Sequence, residues 1–259
     1  MPDNQPSQLF TCRAELHIHT VLSPCAAVEM IPPLIIQTAE EKGINLIAIT
    51  DHNAIGNVRA VMQAAVGSHV HVLPGIELQT REEIHSICLF DSYEHLSAFF
   101  SEIQGSFPNT PNNPDFFGEQ FIVDATGEFI RRENRLLSTS SNLSLKDAWG
   151  IVKKHQGLLI PAHVNRKLFG LLPVLGFAPQ DIDLCIMEIS RHLTPAQAIS
   201  QFPELSNYKL IQSGDAHQLV EIIGCNQFTI QDFSIKEITH ALEGIDGRKY
   251  KNIFDTIMS

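Results

Sequence analysis

Short apolar runs alternate along the chain with amphipathic stretches whose apolar residues recur at helical spacing. CRAELHIHT (12–20), INLIAIT (44–50), HVHVLPGIEL (69–78), IHSICLF (84–90), LLIPAH (158–163), LCIMEIS (184–190) and YKLIQS (208–213) read as strands. Between them, IPPLIIQTAEEKG, NVRAVMQAAV, SYEHLSAFFSEI, SLKDAWGIVKKHQG and SIKEITHALEG read as helices. The first of these has prolines at its start and Gly43 at its end, and Ser144 is an N-cap for the fourth. Such alternation predicts an α/β domain with a largely parallel sheet covered by helices. Seven strands in this order point to a β/α barrel rather than an open sheet. The chain reads as a single domain, residues 1–259.

Residues 105–143 break the rhythm. Pro, Asn and Gly dominate the first half, and EQFIVDATGEFIRR then predicts a hairpin turning at ATGE. The stretch reads as an insertion within the domain, either a lid or a plain surface excursion.

Composition adds limits rather than a fold. A formal charge of −11 leaves no chain-wide basic footprint, which predicts no binding of long nucleic acid while leaving a small phosphorylated substrate open. Five scattered cysteines without a C-x-x-C pair fit a reduced, cytoplasmic compartment. The opening MPDNQPSQLF lacks the basic and apolar regions of a signal peptide, and no apolar run is long enough for a bilayer, so no membrane partner is expected. Oligomeric state has no signature here.

The candidate chemistry lies where strands end. His17 and His19 end the first strand; Asp51 and His52 follow INLIAIT; Glu77 ends the third strand; His163 closes LLIPAH; Asp215 and His217 follow YKLIQS. In a β/α barrel, functional groups gather at this rim. His85 begins its strand, but too few residues separate it from Glu77 for a helical crossover. An antiparallel hairpin would return it to the same end. A second H-x-H, His69 and His71, starts a strand and falls at the opposite end, roughly 20 Å of extended chain from Glu77. It is assigned no metal. His95, His155 and His240 lie on helices and read as solvated. Imidazole with carboxylate suits zinc, iron or manganese. Such a set exceeds the needs of one ion, so two or three divalent ions are expected, with Glu77 as a bridge.

The ordered pieces HIHT, ITDHN, GIE, His85, PAH and GDAH resemble those of the PHP (polymerase and histidinol phosphatase) superfamily. The resemblance implies a distorted (β/α)7 TIM-like barrel with a multinuclear site that hydrolyses phosphoesters through a metal-bridging hydroxide. It implies His17, His19, His52, Glu77, His85, His163, Asp215 and His217 as ligands, with Asp51 in a supporting catalytic role. Where many members continue the first motif with SDG, this chain has Pro24 and Cys25 in LSPCAAVEM. Either Cys25 is a thiolate ligand, or Glu29 reaches in instead, or Cys25 is simply a small packed residue.

Arg166, following His163, is the first candidate to orient a phosphate, and His192 a candidate to protonate a leaving alkoxide. Lys167, Arg191 and Arg81 are further cations near the same rim. Two other readings stand beside a phosphoesterase. One is an amidohydrolase-type barrel, which would want a lysine bridging its metals. The other is a non-catalytic domain that binds a phosphorylated ligand through metal.

Overall fold

The first strand, β1 (Phe10–Ile18), is buried along its second half and so runs through the interior of the structure. The computed structural model describes residues 8–257. Residues 1–7, most of the stretch read as lacking a leader, lie outside the described residues.

On one side of β1 lie β2 (Leu46–Ile49) and β3 (His71–Gln79), successively parallel; β4 (His85–Leu89) then pairs antiparallel with β3. After the hairpin of β5 (Phe121–Val123) and β6 (Phe129–Arg132), strand β7 (Leu158–Pro161) joins the outer edge of β4, again antiparallel. β8 (Ile186–Ile189) and β9 (Lys209–Gln212) form a separate parallel pair. β10 (Asn226–Ile230) returns antiparallel to the free side of β1, and β11 (Lys249–Asn252) flanks it. The principal sheet has seven strands in the order β11-β10-β1-β2-β3-β4-β7.

This is a mixed α/β fold whose sheet curls. Side chains from strands far apart in that order, among them Leu16, Leu73, Ile87, Ile160 and Phe228, share one apolar cluster with Ile186 and Ile211 of the β8–β9 pair. A flat sheet could not bring them together. The pair is tied to both neighbours at one rim. Val164 N–H after β7 donates to the Glu188 carbonyl (2.9 Å), and Ala216 N–H after β9 donates to the His17 carbonyl (3.0 Å).

Each strand read from an apolar run is present, as are the 119–132 hairpin and the cap at Ser144. The expectation of a largely parallel sheet needs correction. β4 reverses because its connection from β3 is short, and β10 and β11 pair antiparallel at the far edge. Those last two escape a search for apolar runs, since NQFTI alternates with polar residues and KYKN is polar and partly exposed.

Residues 105–143 fold against the rim. Asp124 Oδ1 accepts from the Thr126 and Glu128 N–H groups, and Gly127 takes a left-handed φ of 85° to close the hairpin. Asn53 Nδ2 donates to the Leu137 and Thr139 carbonyls, and Arg135 donates back to the Asn53 carbonyl, which ties the segment to the loop after β2. None of the helices among the described residues is long and apolar enough to cross a membrane.

Candidate metal centre

Glu77 lies near the end of β3, fully buried, and five imidazoles close around its carboxylate. Oε1 is 3.0 Å from His85 Nδ1 and 3.2 Å from both His17 Nε2 and His163 Nε2. Oε2 is 2.7 Å from His52 Nδ1 and 3.5 Å from His19 Nε2. A second carboxylate, Asp215, faces the same group: its Oδ1 is 3.3 Å from His19 Nε2, 3.4 Å from His17 Nε2 and 3.5 Å from His217 Nδ1. His17 and His19 therefore stand between two carboxylates, their Nε2 atoms 3.2 Å apart.

The backbone explains the convergence. β1 delivers two imidazoles from adjacent odd positions, and the hairpin register sets His85 opposite Gln79, two residues beyond Glu77. His163 and Asp215 hold left-handed backbones (φ 31° and 49°) just past their strands, a conformation costly for non-glycine residues and concentrated where geometry is functional. Gly214 has no room for a side chain, because a Cβ there would meet the Glu221 carbonyl.

Outer contacts fix which nitrogen three of the imidazoles turn inward. His17 Nδ1 pairs with Glu188 Oε1 (3.0 Å), His19 Nδ1 with Ser23 Oγ (3.0 Å) and His217 Nδ1 with the Asp215 carbonyl (2.8 Å). With Nδ1 occupied, each ring keeps Nε2 free for the centre. Asp51 is saturated by the Thr20 N–H, the Thr20 hydroxyl and the Ser23 hydroxyl (2.7 Å each), so it braces the 20–23 loop and does not line the cavity.

Electrostatics follow the packing. Burial alone would raise Glu77, but the His85, His17 and His52 imidazoles around it hold its carboxyl well below the usual range. Burial pulls His85 down to about 4, against the pull of Glu77. His52 is raised well above an ordinary imidazole, Glu77 overcoming the burial that would lower it. Cys25 is brought down to about 6, because His52 and His217 outweigh the burial that would raise it.

The donor chemistry fits cations. Glu77 Oε2 accepts no well-formed hydrogen bond, although His52 Nδ1 is 2.7 Å away. Buried polar atoms are rarely left in that state. Three overlapping sets bring one donor atom per residue within 4.8 Å of each other: His17, His19 and Glu77; His52, Glu77 and His85; His19, His52 and His217.

The cluster opens into a cavity of about 500 Å³. Arg166 lines it with Nη1 2.6 Å from Asp215 Oδ2, and His192 lines it as well. Arg191 is committed to the loop after β9, donating to the Gly214 carbonyl and to Glu221 Oε1 (2.6 Å). Arg81 lies outside the lining, paired with Glu82 at 3.9 Å. His71 stacks on Phe233 (4.8 Å), away from the cluster, and His155 pairs with Glu102 (2.7 Å).

The PHP domain family matches residues 15–149, just over half of the chain. The chain belongs to the PHP family. PHP domains are metal-dependent, in keeping with the histidine and carboxylate sets above. No curated protein sequence matches this PHP chain.

Solved structures share its fold at low identity. The lesion-specific endonuclease PfuEndoQ from Pyrococcus furiosus superposes with a TM-score of 0.69 at 17% identity, over 93% of this chain and 58% of that one. Endonuclease Q in complex with a 27-mer duplex bearing an abasic lesion gives 0.68 at 16%, with the same coverage. This PHP chain thus spans under two thirds of those endonuclease chains. A protein from Bifidobacterium adolescentis described as a putative metal-dependent phosphoesterase gives 0.53 at 17%, over 79% and 87%. An amidohydrolase from Chromobacterium violaceum gives 0.56 at 18%, over 93% and 98%.

These structures overturn one expectation. Net negative charge predicted no long nucleic acid, yet an endonuclease of this fold holds a DNA duplex. The error is physical: a duplex meets the local field of a cleft, and a cleft bearing arginines and cations can oppose the net charge of its chain.

Several participants carry no signal in the sequence. Glu188, inside an apolar strand, accepts from His17 Nδ1 and from the His163 N–H (3.2 Å). Glu15 accepts from the Gly214, Ile223 and Gly224 N–H groups and anchors the loop that bears Asp215; burial raises it to about 7. Phe169 stacks on His85 at 4.4 Å. Only the H-x-H spacing beside Glu15 hinted that β1 faces a polar interior.

Proposed function

We propose that this chain hydrolyses a phosphoester, with two or three divalent ions of zinc, manganese or iron held by His17, His19, His52, Glu77, His85, His163, Asp215 and His217. The observation that carries the reading is the orphaned Glu77 Oε2 at the meeting point of those imidazoles. When bound, the ions would supply Lewis acidity toward the phosphoryl group and an activated water. Glu77 would be the anion they share. Glu188 and Ser23 keep His17 and His19 in the tautomer that offers Nε2 inward, and Asp51 supports them through the Thr20 and Ser23 loop.

Arg166 orients a phosphate from the rim by turning its guanidinium from Asp215 toward the substrate oxygens. His192, on the same wall, delivers a proton to the departing alkoxide. The segment 105–143 supplies Ser138 to the wall and acts as part of the substrate surface. The substrate class is a phosphomonoester or a nucleotide ester, and the likeness to Endonuclease Q adds DNA to the candidates. An amidohydrolase reading finds less support, since no lysine among the described residues lines the cavity.

The test is a panel of aryl phosphomonoesters, aryl phosphodiesters and abasic duplex DNA, offered to protein reconstituted with manganese, zinc or iron(II). At least one ester is expected to turn over and to stop on adding chelator. A fully metal-loaded protein that spares all of them would end the proposal.

A further inference from the structure

The hairpin of β5 and β6 has one edge tied to the core and one edge free. On the tied side, Phe121 N–H donates to the Val21 carbonyl (3.1 Å) and Val123 N–H to Asn57 Oδ1 (3.0 Å). On the other side, β6 pairs with β5 alone, and no further strand among the described residues joins its sheet. The ladder sets Arg131 opposite Ile122 and Phe129 opposite Val123, so Ile130 has no partner on β5. With that extra residue in the strand, neighbouring side chains turn outward together. All four residues of β6 are exposed, Phe129 and Ile130 each to 57%. Phe129 also borders an apolar groove of about 410 Å³ with Phe121, Val28 and Ile31, and Val28 is itself 75% exposed. Single exposed apolar residues need no explanation, but a gathered set marks a contact surface.

The charges on the edge say what fits there. From Glu128 the strand reads Glu-Phe-Ile-Arg-Arg. Laid antiparallel on a copy of itself about Ile130, it sets Glu128 opposite Arg132 and Phe129 opposite Arg131, and the symmetry repeats each pair. Residues opposite one another share a face, so opposite charges meet and each guanidinium lies beside a phenyl ring. Charged side chains ordinarily turn a second strand away from an open edge, but these are self-complementary. Glu128 is in no ion pair among the described residues. Arg132 meets Glu119 (2.8 Å) and Arg131 meets Glu133 (3.8 Å), which leaves little uncompensated positive charge for a nucleic-acid strand.

We propose that β6 pairs with β6 of a second copy of this chain, antiparallel about Ile130, to form a four-stranded sheet across a two-fold axis. None of residues 128–132 lines the cavity of the histidine cluster, so the contact is independent of the hydrolase reading. So short a strand makes a small interface, and the dimer forms and dissociates with concentration.

Sedimentation velocity of the full-length chain over a range of concentrations tests this. The native protein is expected to pass from monomer to dimer. Glu128→Arg puts like charges at both ends of the pairing, Arg132→Glu does so with the opposite sign, and each weakens association by at least about tenfold. An equal mixture of the two variants recovers the dimer, because each chain then opposes the charges of the other. Ile130→Lys, which puts like charge on the axis without touching either ion pair, also disperses the dimer. Val66→Lys, at an exposed valine elsewhere, leaves it intact. A chain that stays monomeric at every concentration would overturn the proposal, and an oligonucleotide or peptide bound at the same edge would then name a different occupant. A dimer that withstands Ile130→Lys, or folded charge variants that stay apart when mixed, would overturn it as well.

Discussion

Glu77→Gln loses metal and turnover together, with hydrolysis falling at least about 10³-fold, the upper end of what removing one electrostatic stabiliser costs. The amide preserves the shape of the side chain but removes the charge against which His17, His52 and His85 are balanced. Each carboxylate oxygen now faces imidazole nitrogens at 2.7–3.5 Å, and an NH2 group on either side would present donors where a cation needs lone pairs. The expected signature is loss of bound metal by elemental analysis, with far-ultraviolet circular dichroism unchanged. A Glu77→Gln protein that retains its full metal complement would show that the carboxylate is not the shared ligand.

Metal should also hold the fold together. The proposed ligands come from β1 and its end, the loop after β2, β3, β4, the end of β7 and the loop after β9, so a cation held by them would join segments from residue 17 to residue 217. At a metal concentration about 1,000 times Kd, binding to the folded state alone adds roughly 4 kcal/mol, or about 8–16 °C in Tm for a domain somewhat smaller than this one. The shift depends on pH with a definite sign. His17 is raised well above the ordinary imidazole range because Glu188, Glu77 and Asp215 outweigh its burial. Glu77 raises His52 in the same way, and Cys25 and Asp215 raise His217. These rings hold protons that a metal must displace, so stabilisation shrinks as pH falls. Thermal melts with and without zinc at about pH 8 and about pH 5.5 should show the larger gain at the higher value. An equal or larger gain at the lower value would place the metal elsewhere.

Much of this cluster was legible because its side chains sit at the ends of apolar strands, where period and position can both be read. His85 is the instructive case. A short link from Glu77 required a hairpin, and the hairpin brings His85 Nδ1 to 3.0 Å from Glu77 Oε1. Its mirror is the pair His69 and His71, whose spacing matches His17 and His19 but which starts β3, with His71 packed against Phe233. Glu188 and Glu15 stayed hidden because a buried carboxylate inside an apolar strand has no periodic signature; its role depends on which chain segments fold over it. Strands β10 and β11 stayed hidden because their pairing with β1 and with each other is set by tertiary contact rather than by apolar content. Net charge misled about nucleic acid because recognition depends on the field at a cleft.

The account stands or falls on whether these scattered side chains hold cations as one centre. Anomalous diffraction from crystals grown with zinc or manganese tests that directly. Two or three peaks are expected within the cluster, with the Glu77 carboxylate between neighbouring ions and His17, His19, His52, His85, His163, Asp215 and His217 around them. Peaks confined to surface residues, with the cluster empty at saturating metal, would contradict it.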